Sequence, residues 1–343
     1  MDFPSILEDI LGHHDLSRQA AEELMRETMV GKLSPAQIAA YLVALRLKGE
    51  TADEIAGFAQ AMRQSAVKLP RKKSPLVDTC GTGGDRSHWL NISTLAALTL
   101  ASVGVPVAKH GNRAISSQTG SADFLESLGY PLEESPESAA ERLQQTNFCF
   151  LFAPKYHPAM KHVAPVRKEL GIRTVFNILG PLANPAGAEI QLLGVADEKR
   201  LWDMAKALQE LGVHKALVVH GSGVDEIHPI MPTKYLKVDR NHISEGLLDP
   251  RELGLRPLSL EEIVARSRQE ALAKSQDFLD GKNETAITTV ALNAAAALYL
   301  YEEEVSGKSL PLQDYLKTKV AELQAYLKKG PLGEFIKNAF RPF

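Results

Sequence analysis

The sequence predicts an α/β protein: a small all-helical part, then a large domain on a mainly parallel sheet. Three observations carry that expectation. Residues 1 to about 69 show only helical periodicity. Beyond residue 75, short apolar runs alternate with helical stretches. Three of those runs end in loops rich in glycine and charge. A chain of 343 residues can bury a real core in such a two-part body.

The helical part announces its own helix starts. Ser34 stands before Pro35 with Gln37 three positions on, and Thr51 stands before Glu54 in the same way. Both are capping boxes, and proline at the first helical position fits. Ile38, Tyr41, Leu42 and Leu45, then Ile55, Phe58, Ala59 and Met62, form apolar stripes that need a partner surface. The rest of the protein supplies part of it, and a second copy of the chain could supply more. Pro70-Arg71-Lys72-Lys73-Ser74-Pro75 reads as a connector and hinge, its three cations more naturally solvated than bound to phosphate. The expected division is a helical domain over 1–70 and an α/β domain over 71–343.

In the second part, 76–80, 105–109, 148–152, 191–196 and 216–220 read as strands. Helices are expected at 94–103, 122–128 and 198–211, and a helix-rich stretch at 258–327 should pack back on the sheet. Strands separated by helices imply parallel pairing covered on both faces. There are no internal repeats or low-complexity tracts.

Composition removes several function classes. Apolar residues make up 44% and charged residues 24%, and the net charge of -3 exerts no global pull on nucleic acid or anionic membrane. An anion site must then be local. Met1-Asp2-Phe3-Pro4 carries no basic stretch before an apolar run, so no signal peptide is expected and the cytoplasm is the expected location. No apolar run is long enough to span a bilayer. The two cysteines, Cys80 and Cys149, lack metal-ligand spacing and read as small core hydrophobes. The ten histidines are scattered, with no zinc pattern.

Chemistry concentrates in three loops. After the first strand come Gly81-Thr82-Gly83-Gly84-Asp85 and then Asn91-Ile92-Ser93-Thr94, opening a helix. Glycines let backbone approach a phosphate, free N–H groups at a helix start attract anions, and Ser93 and Thr94 could cap that helix or offer hydroxyls. The spacing fits neither the dinucleotide fingerprint nor Walker A. The second strand ends in Lys109-His110-Gly111-Asn112-Arg113, followed by Ser116, Ser117 and Gly120-Ser121-Ala122-Asp123. In a parallel sheet this loop lies beside the first, at the carboxyl edge where ligands bind. The third is His220-Gly221-Ser222-Gly223-Val224-Asp225-Glu226, whose adjacent carboxylates make sense as magnesium ligands beside phosphate.

Taken together these residues resemble the anthranilate phosphoribosyltransferase family of the tryptophan pathway. The resemblance covers almost the whole chain, including Phe152-Ala153-Pro154-Lys155-Tyr156-His157-Pro158-Ala159-Met160 and the stretch from Arg167 to Pro185. It implies a fold of the nucleoside phosphorylase and phosphoribosyltransferase type, with a helical excursion near 158–182 joining the N-terminal helices. It implies transfer from phosphoribosyl pyrophosphate (PRPP) to the amine of anthranilate, a cleft that closes about a hinge, and a homodimer through the helical layer. PRPP would be held by Gly81, Gly84, Asp85, Trp89, Asn91, Ile92, Ser93, Thr94, Lys109, His110, Gly111, Asn112, Arg113, Ala114, Ile115, Ser116 and Ser117, with Ser121 nearby. Gly81, Asn112, Tyr156, His157 and Arg167 would meet anthranilate, a guanidinium suiting its carboxylate. Ser93, Asp225 and Glu226 would ligate two Mg2+ ions.

Displacing pyrophosphate builds oxocarbenium character at the ribose, so Lys109, Arg113 and the metal would stabilise charge, with no obligatory nucleophile. An aromatic amine is uncharged at neutral pH, so neither His110 nor His157 is assigned as a base. The pattern departs from the family after Asp85, where Arg86 replaces the usual glycine and Trp89 a small hydroxyl residue, with His88 between. Two other readings compete. A pyrimidine-nucleoside phosphorylase would have one phosphate site and no acidic pair. A non-catalytic nucleic-acid-binding paralogue would have a positive surplus and eroded motifs.

Overall fold

The computed structural model describes residues 1–72, 74–114, 119–256 and 258–341. The chain opens with α1 (Phe3–Leu11), α2 (Arg18–Met29), α3 (Pro35–Lys48) and α4 (Ala52–Ser65). Both anticipated capping boxes form, at Ser34 with Gln37 and at Thr51 with Glu54. Glu54 is fully buried and accepts the Leu16 N–H at 2.9 Å and the Lys48 ammonium at 3.0 Å, tying α4 to α3 and to the connector between α1 and α2.

The α/β part runs β1 (Val77–Gly81), α5 (Ile92–Ser102), β2 (Val107–Gly111), α6 (Ser121–Ser127), α7 (Pro136–Thr146) and β3 (Phe148–Phe152). A strap follows: α8 (Ala153–Tyr156), a 3-10 turn at Pro158–His162, α9 (Ala164–Leu170), α10 (Phe176–Leu179) and a second 3-10 turn at Gly180–Leu182. Val163, Val166, Phe176, Leu179 and Leu182 of this strap share an apolar cluster with Ile38, Leu42, Ile55 and Phe58 of the N-terminal helices. Then come β4 (Ile190–Gly194), α11 (Leu201–Glu210), β5 (Lys215–His220), β6 (Thr233–Asp239) and β7 (His242–Leu248). The chain ends in α12 (Arg268–Leu279), α13 (Glu284–Ser306), α14 (Leu312–Leu327) and α15 (Pro331–Ala339).

The seven strands lie in the order β3-β2-β1-β4-β5-β6-β7. The first five pair in parallel, as expected, and β6 and β7 add antiparallel edges. That hairpin escaped the sequence reading because β6 alternates weakly: Leu236 and Val238 point inward, but Lys237 lies between them. Its ammonium reaches Glu303 at 2.7 Å and the Tyr299 hydroxyl at 2.8 Å on α13. Strand alternation divides the core. Leu192, Leu217 and Val219 face α5, α13 and α14, while Leu193, Ala216 and Val218 face α11 and the N-terminal helices. Cys80 and Cys149 are buried and unbridged, as read from the sequence. Among the described residues no helix is long and apolar enough to cross a membrane.

Arg71 pairs with Glu189 at 2.7 Å, so this connector cation is held by protein. On the far edge of the sheet, Arg142 of α7 is 1% exposed and bonds Glu134 at 2.9 Å and the carbonyl of Ala339, clamping α15 over β3. Arg142→Ala leaves Glu134 buried without its cationic partner. Urea unfolding should show a loss of about 3–5 kcal/mol.

Candidate active site

Because β1, β2, β4 and β5 run parallel, their carboxyl ends lie at one edge, and the strand order reverses between β1 and β4. That is where ligands enter open α/β sheets. The turn after β5 crosses the end of β4 to reach the loop after β1. The crossing demands glycine: a Cβ at Gly194 would stand 1.6 Å from the Asp225 carbonyl oxygen, and one at Gly81 2.2 Å from Asp225 Oδ2. The Gly83 N–H then donates to Asp225 Oδ2 at 2.6 Å, and the Ser93 N–H at the start of α5 donates to Glu226 Oε1 at 3.1 Å.

Two expectations change here. Ser93 and Thr94 do not cap α5, whose N-cap Asn91 makes no side-chain cap bond; Glu226 takes up the first-turn donor instead. Gly81 makes room for Asp225, a second demand beside the phosphate approach for which it was singled out. Burial first, and the Asp85 charge second, hold the Asp225 carboxyl above the ordinary range. Burial and the Asp225 charge likewise push Glu226 well up, against the pull of Lys109. The site is short of positive charge.

Lys109 lies beneath these acids and is 2% exposed. Its ammonium bonds the Thr79 carbonyl and, at 3.3 Å, Ser93 Oγ. Burial lowers its pKa while Asp78 opposes that shift. Lys109 is therefore a buried underpinning of the loops, where an open phosphate-facing cation was expected. Asp78, also fully buried, accepts from Asn184 Nδ2 at 2.8 Å. The sequence reading passed over both, although an acid inside the apolar run Leu76-Val77-Asp78-Thr79-Cys80 was a visible signal.

The loop after β2 folds around Asp123. Its carboxylate accepts the N–H groups of Ala114 at 2.9 Å and Gly120 at 3.0 Å and pairs with Arg113 at 3.0 Å. Arg113 also binds Glu126 at 2.7 Å. It was expected as a free cation for transition-state charge, and the structure commits it to two carboxylates. Asn112 is exposed, with its carbonyl receiving Ser121 Oγ at 3.2 Å, and Ser121 fills the space a Cβ at Gly111 would need. Ile92 is core, and Asn91 reaches the Thr119 carbonyl at 3.0 Å. Ile115, Ser116 and Ser117 lie outside the described residues.

The strap brings a different chemistry to the same edge. His110 Nδ1 lies 3.1 Å from the Gly180 carbonyl, and its ring sits 5.0 Å from that of His157. A carbonyl accepts, so His110 Nδ1 must carry the proton and Nε2 a lone pair. Burial pushes His110 down to about 3 and His157 to about 4. Both are therefore neutral at neutral pH, and both Nε2 atoms are buried without a protein partner. Arg167, half-buried over the Phe176 ring at 5.4 Å, makes no side-chain hydrogen bond or ion pair among the described residues. Its pKa is lowered by burial. Tyr156, expected near the acceptor, instead packs with Leu143, Cys149 and Leu151 between β3 and α7.

The unusual stretch after Asp85 is pinned from outside. Arg86 and His88 adopt φ of 61° and 56°, a region costly for side-chain-bearing residues. Trp89 bridges Val264 and meets the His228 ring edge-on at 5.2 Å, while the Leu90 N–H bonds Ile263 at 2.8 Å. Trp89 thus braces the loop against the 263–265 segment.

With this geometry in view, the likeness to known proteins is decisive. Residues 4–66 match the helical bundle domain of the glycosyl transferase family and 73–331 its a/b domain. The anthranilate phosphoribosyltransferase of Brevibacillus brevis is 51% identical over 295 residues, covering 86% of each chain. That of Halalkalibacterium halodurans is 42% identical over 98% of this chain and 96% of its own. The chain belongs to the anthranilate phosphoribosyltransferase family. The crystal structure of the Thermus thermophilus member superposes with a TM-score of 0.87 at 42% identity, covering 99% of this chain and 98% of that one. The Saccharomyces cerevisiae member, in complex with PRPP and Mg, shares the fold with a TM-score of 0.81 at 24% identity, over 98% of both chains.

The neutral imidazoles fix a pH response. Between pH 6.5 and about 4 the unfolded chain binds protons that the folded one refuses, so stability falls as pH drops through that window. Each imidazole contributes about 1.4 kcal/mol per pH unit. A His110→Gln, His157→Gln double variant should flatten the acid limb of melting temperature against pH; an unchanged slope would contradict the depressed values.

Proposed function

We propose that this protein transfers the phosphoribosyl group of PRPP to the amine of anthranilate, releasing pyrophosphate, with Mg2+. The observation that carries this reading is the acidic turn seated inside the glycine loop. Asp225 and Glu226 are held above their ordinary range by burial first, then by the charge of Asp85 on Asp225 and of Asp225 on Glu226, which a divalent cation would relieve. Among the described residues no three His, Cys, Asp or Glu side chains form a metal cage of their own. Magnesium needs none: one or two carboxylates suffice when substrate phosphates complete its shell. Ser93, Asp225 and Glu226 would hold two ions, whose chemistry is neutralisation of the departing pyrophosphate.

The chain's own residues bind and orient. Gly81, Gly84, Asp85, Asn91, Thr94 and the 109–117 loop with Ser121 would cradle PRPP, whose C1–O bond to pyrophosphate breaks as the amine nitrogen closes on C1. The half-buried Arg167 offers a bidentate partner to the anthranilate carboxylate. Two uncharged imidazoles, with Nε2 of His110 unprotonated, suit a neutral aromatic amine, which donates N–H and would be repelled by no charge. The same reading includes a homodimer, supported by exposed Leu11, Val30 and Leu47 on the helical layer.

Loss of anthranilate fluorescence should require both PRPP and magnesium. An Asp225→Ala, Glu226→Ala variant should lose at least about a hundredfold in kcat/KM, and retained activity there would remove the metal assignment. Arg167→Ala should raise the KM for anthranilate about tenfold or more while sparing that for PRPP.

A further inference from the structure

One side chain of the strap reaches the glycine loop. Arg173, between α9 and α10, donates from Nη2 to the Gly84 carbonyl at 2.8 Å. The carbonyl of Arg173 itself accepts from Nη1 of Arg46, in the last turn of α3, at 2.6 Å. The Thr174 N–H bonds Asn177 Oδ1 at 3.0 Å, so the connector is anchored on its other side as well. A continuous path of hydrogen bonds and covalent backbone thus runs from the N-terminal helices through the strap to the loop after β1.

The contact depends on the residue at position 84. Gly84 has φ of 75°, and a Cβ there would stand 1.2 Å from Arg173 Nη2. The guanidinium occupies the space a side chain would take. It also sets a peptide plane. In a trans peptide the C=O and the following N–H point in opposite directions. With the Gly84 carbonyl turned toward Arg173, the Asp85 N–H is turned away from it. Among the described residues no acceptor meets that N–H. The strap that places Arg173 also carries Arg167 and the Gly180 carbonyl that sets the His110 tautomer.

We propose that Arg173 is a positioning residue for the phosphoribosyl donor. Its hydrogen bond to the Gly84 carbonyl orients the loop so that the Asp85 N–H is presented to a donor phosphate oxygen, and it fastens the donor loop to the acceptor-side strap. This rests on the phosphoribosyl-transfer reading above.

Initial-rate kinetics on Arg173→Met, Arg173→Lys, Gly84→Ala and the Gly84→Ala, Arg173→Met pair test it, beside calorimetric titration of PRPP with Mg2+. Arg173→Met should raise the donor KM and Kd about tenfold or more, leave the anthranilate KM within about twofold and keep the melting temperature. Lysine at 173 should restore most of the loss. Gly84→Ala should cost less in the Arg173→Met background than alone, because the two share one contact. An unchanged donor KM would overturn the proposal, as would a parallel rise in both KM values with a lower melting temperature, the mark of a general strut. Strictly additive effects of the pair would also overturn it, placing the guanidinium on the donor itself. A wild-type protein that binds PRPP but consumes no anthranilate would sink the acceptor assignment alone, and the donor titrations of the same variants would still decide Arg173.

Discussion

The carboxylates of Asp225 and Glu226 take up backbone donors from two places that precede them in the chain by more than a hundred residues: the Gly83 N–H and the Ser93 N–H. Most of the site's geometry follows from that seating. Asp225 can reach Gly83 only by crossing the end of β4, so β4 must finish in glycine and β1 must give way to glycine at the same level. Lys109 sits below to temper the acids, and Asp78 and Asn184 sit below Lys109 to keep it buried. A buried cation beneath buried carboxylates is costly unless each is bonded. Here the Lys109 ammonium donates to the Thr79 carbonyl and to Ser93 Oγ, and the Gly83 and Ser93 N–H groups donate to the two carboxylates.

Around that acidic seat the protein sorts its charges. Arg113 is committed to Asp123 and Glu126, and its loop donates N–H groups inward to the same Asp123. Among the described residues Arg167 has no anionic partner, and it lies half-buried. The difference between the two arginines is a difference of use. The paired guanidinium holds its loop in shape, whereas the other packs over the Phe176 ring. The imidazoles of His110 and His157 are kept neutral by burial.

The strap of residues 153–182 joins the helical layer to this edge of the sheet. It is held by apolar contact with the N-terminal helices, and it delivers Arg167, Arg173 and the Gly180 carbonyl to the edge of a sheet built by other segments. The stretch at Arg86 to Trp89 shows a different device. Residues that would not choose left-handed backbone are kept there by an external brace at 263–265, which is how strain persists near a binding loop.

The sequence by itself determined the fold class, the helix caps and the loops where chemistry would gather. These are local properties: a capping box, a period of 3.6 or 2, and a glycine run after a strand are readable in a few residues. It also named the Asp225-Glu226 pair, from adjacent carboxylates in a glycine-rich loop after a strand, and Arg167, through family resemblance. The tertiary structure alone decided which of the named residues face the site. Tyr156 turned into the core between β3 and α7, Lys109 went beneath the loops, Arg113 was neutralised by Asp123 and Glu126, and Glu226 became the cap of α5. It also added Asp78, Asn184 and Arg173, which carry no motif of their own. The physical reason is reach. A side chain's partner is set by contacts across the sheet and the strap, and no window along the chain contains both halves of such a contact.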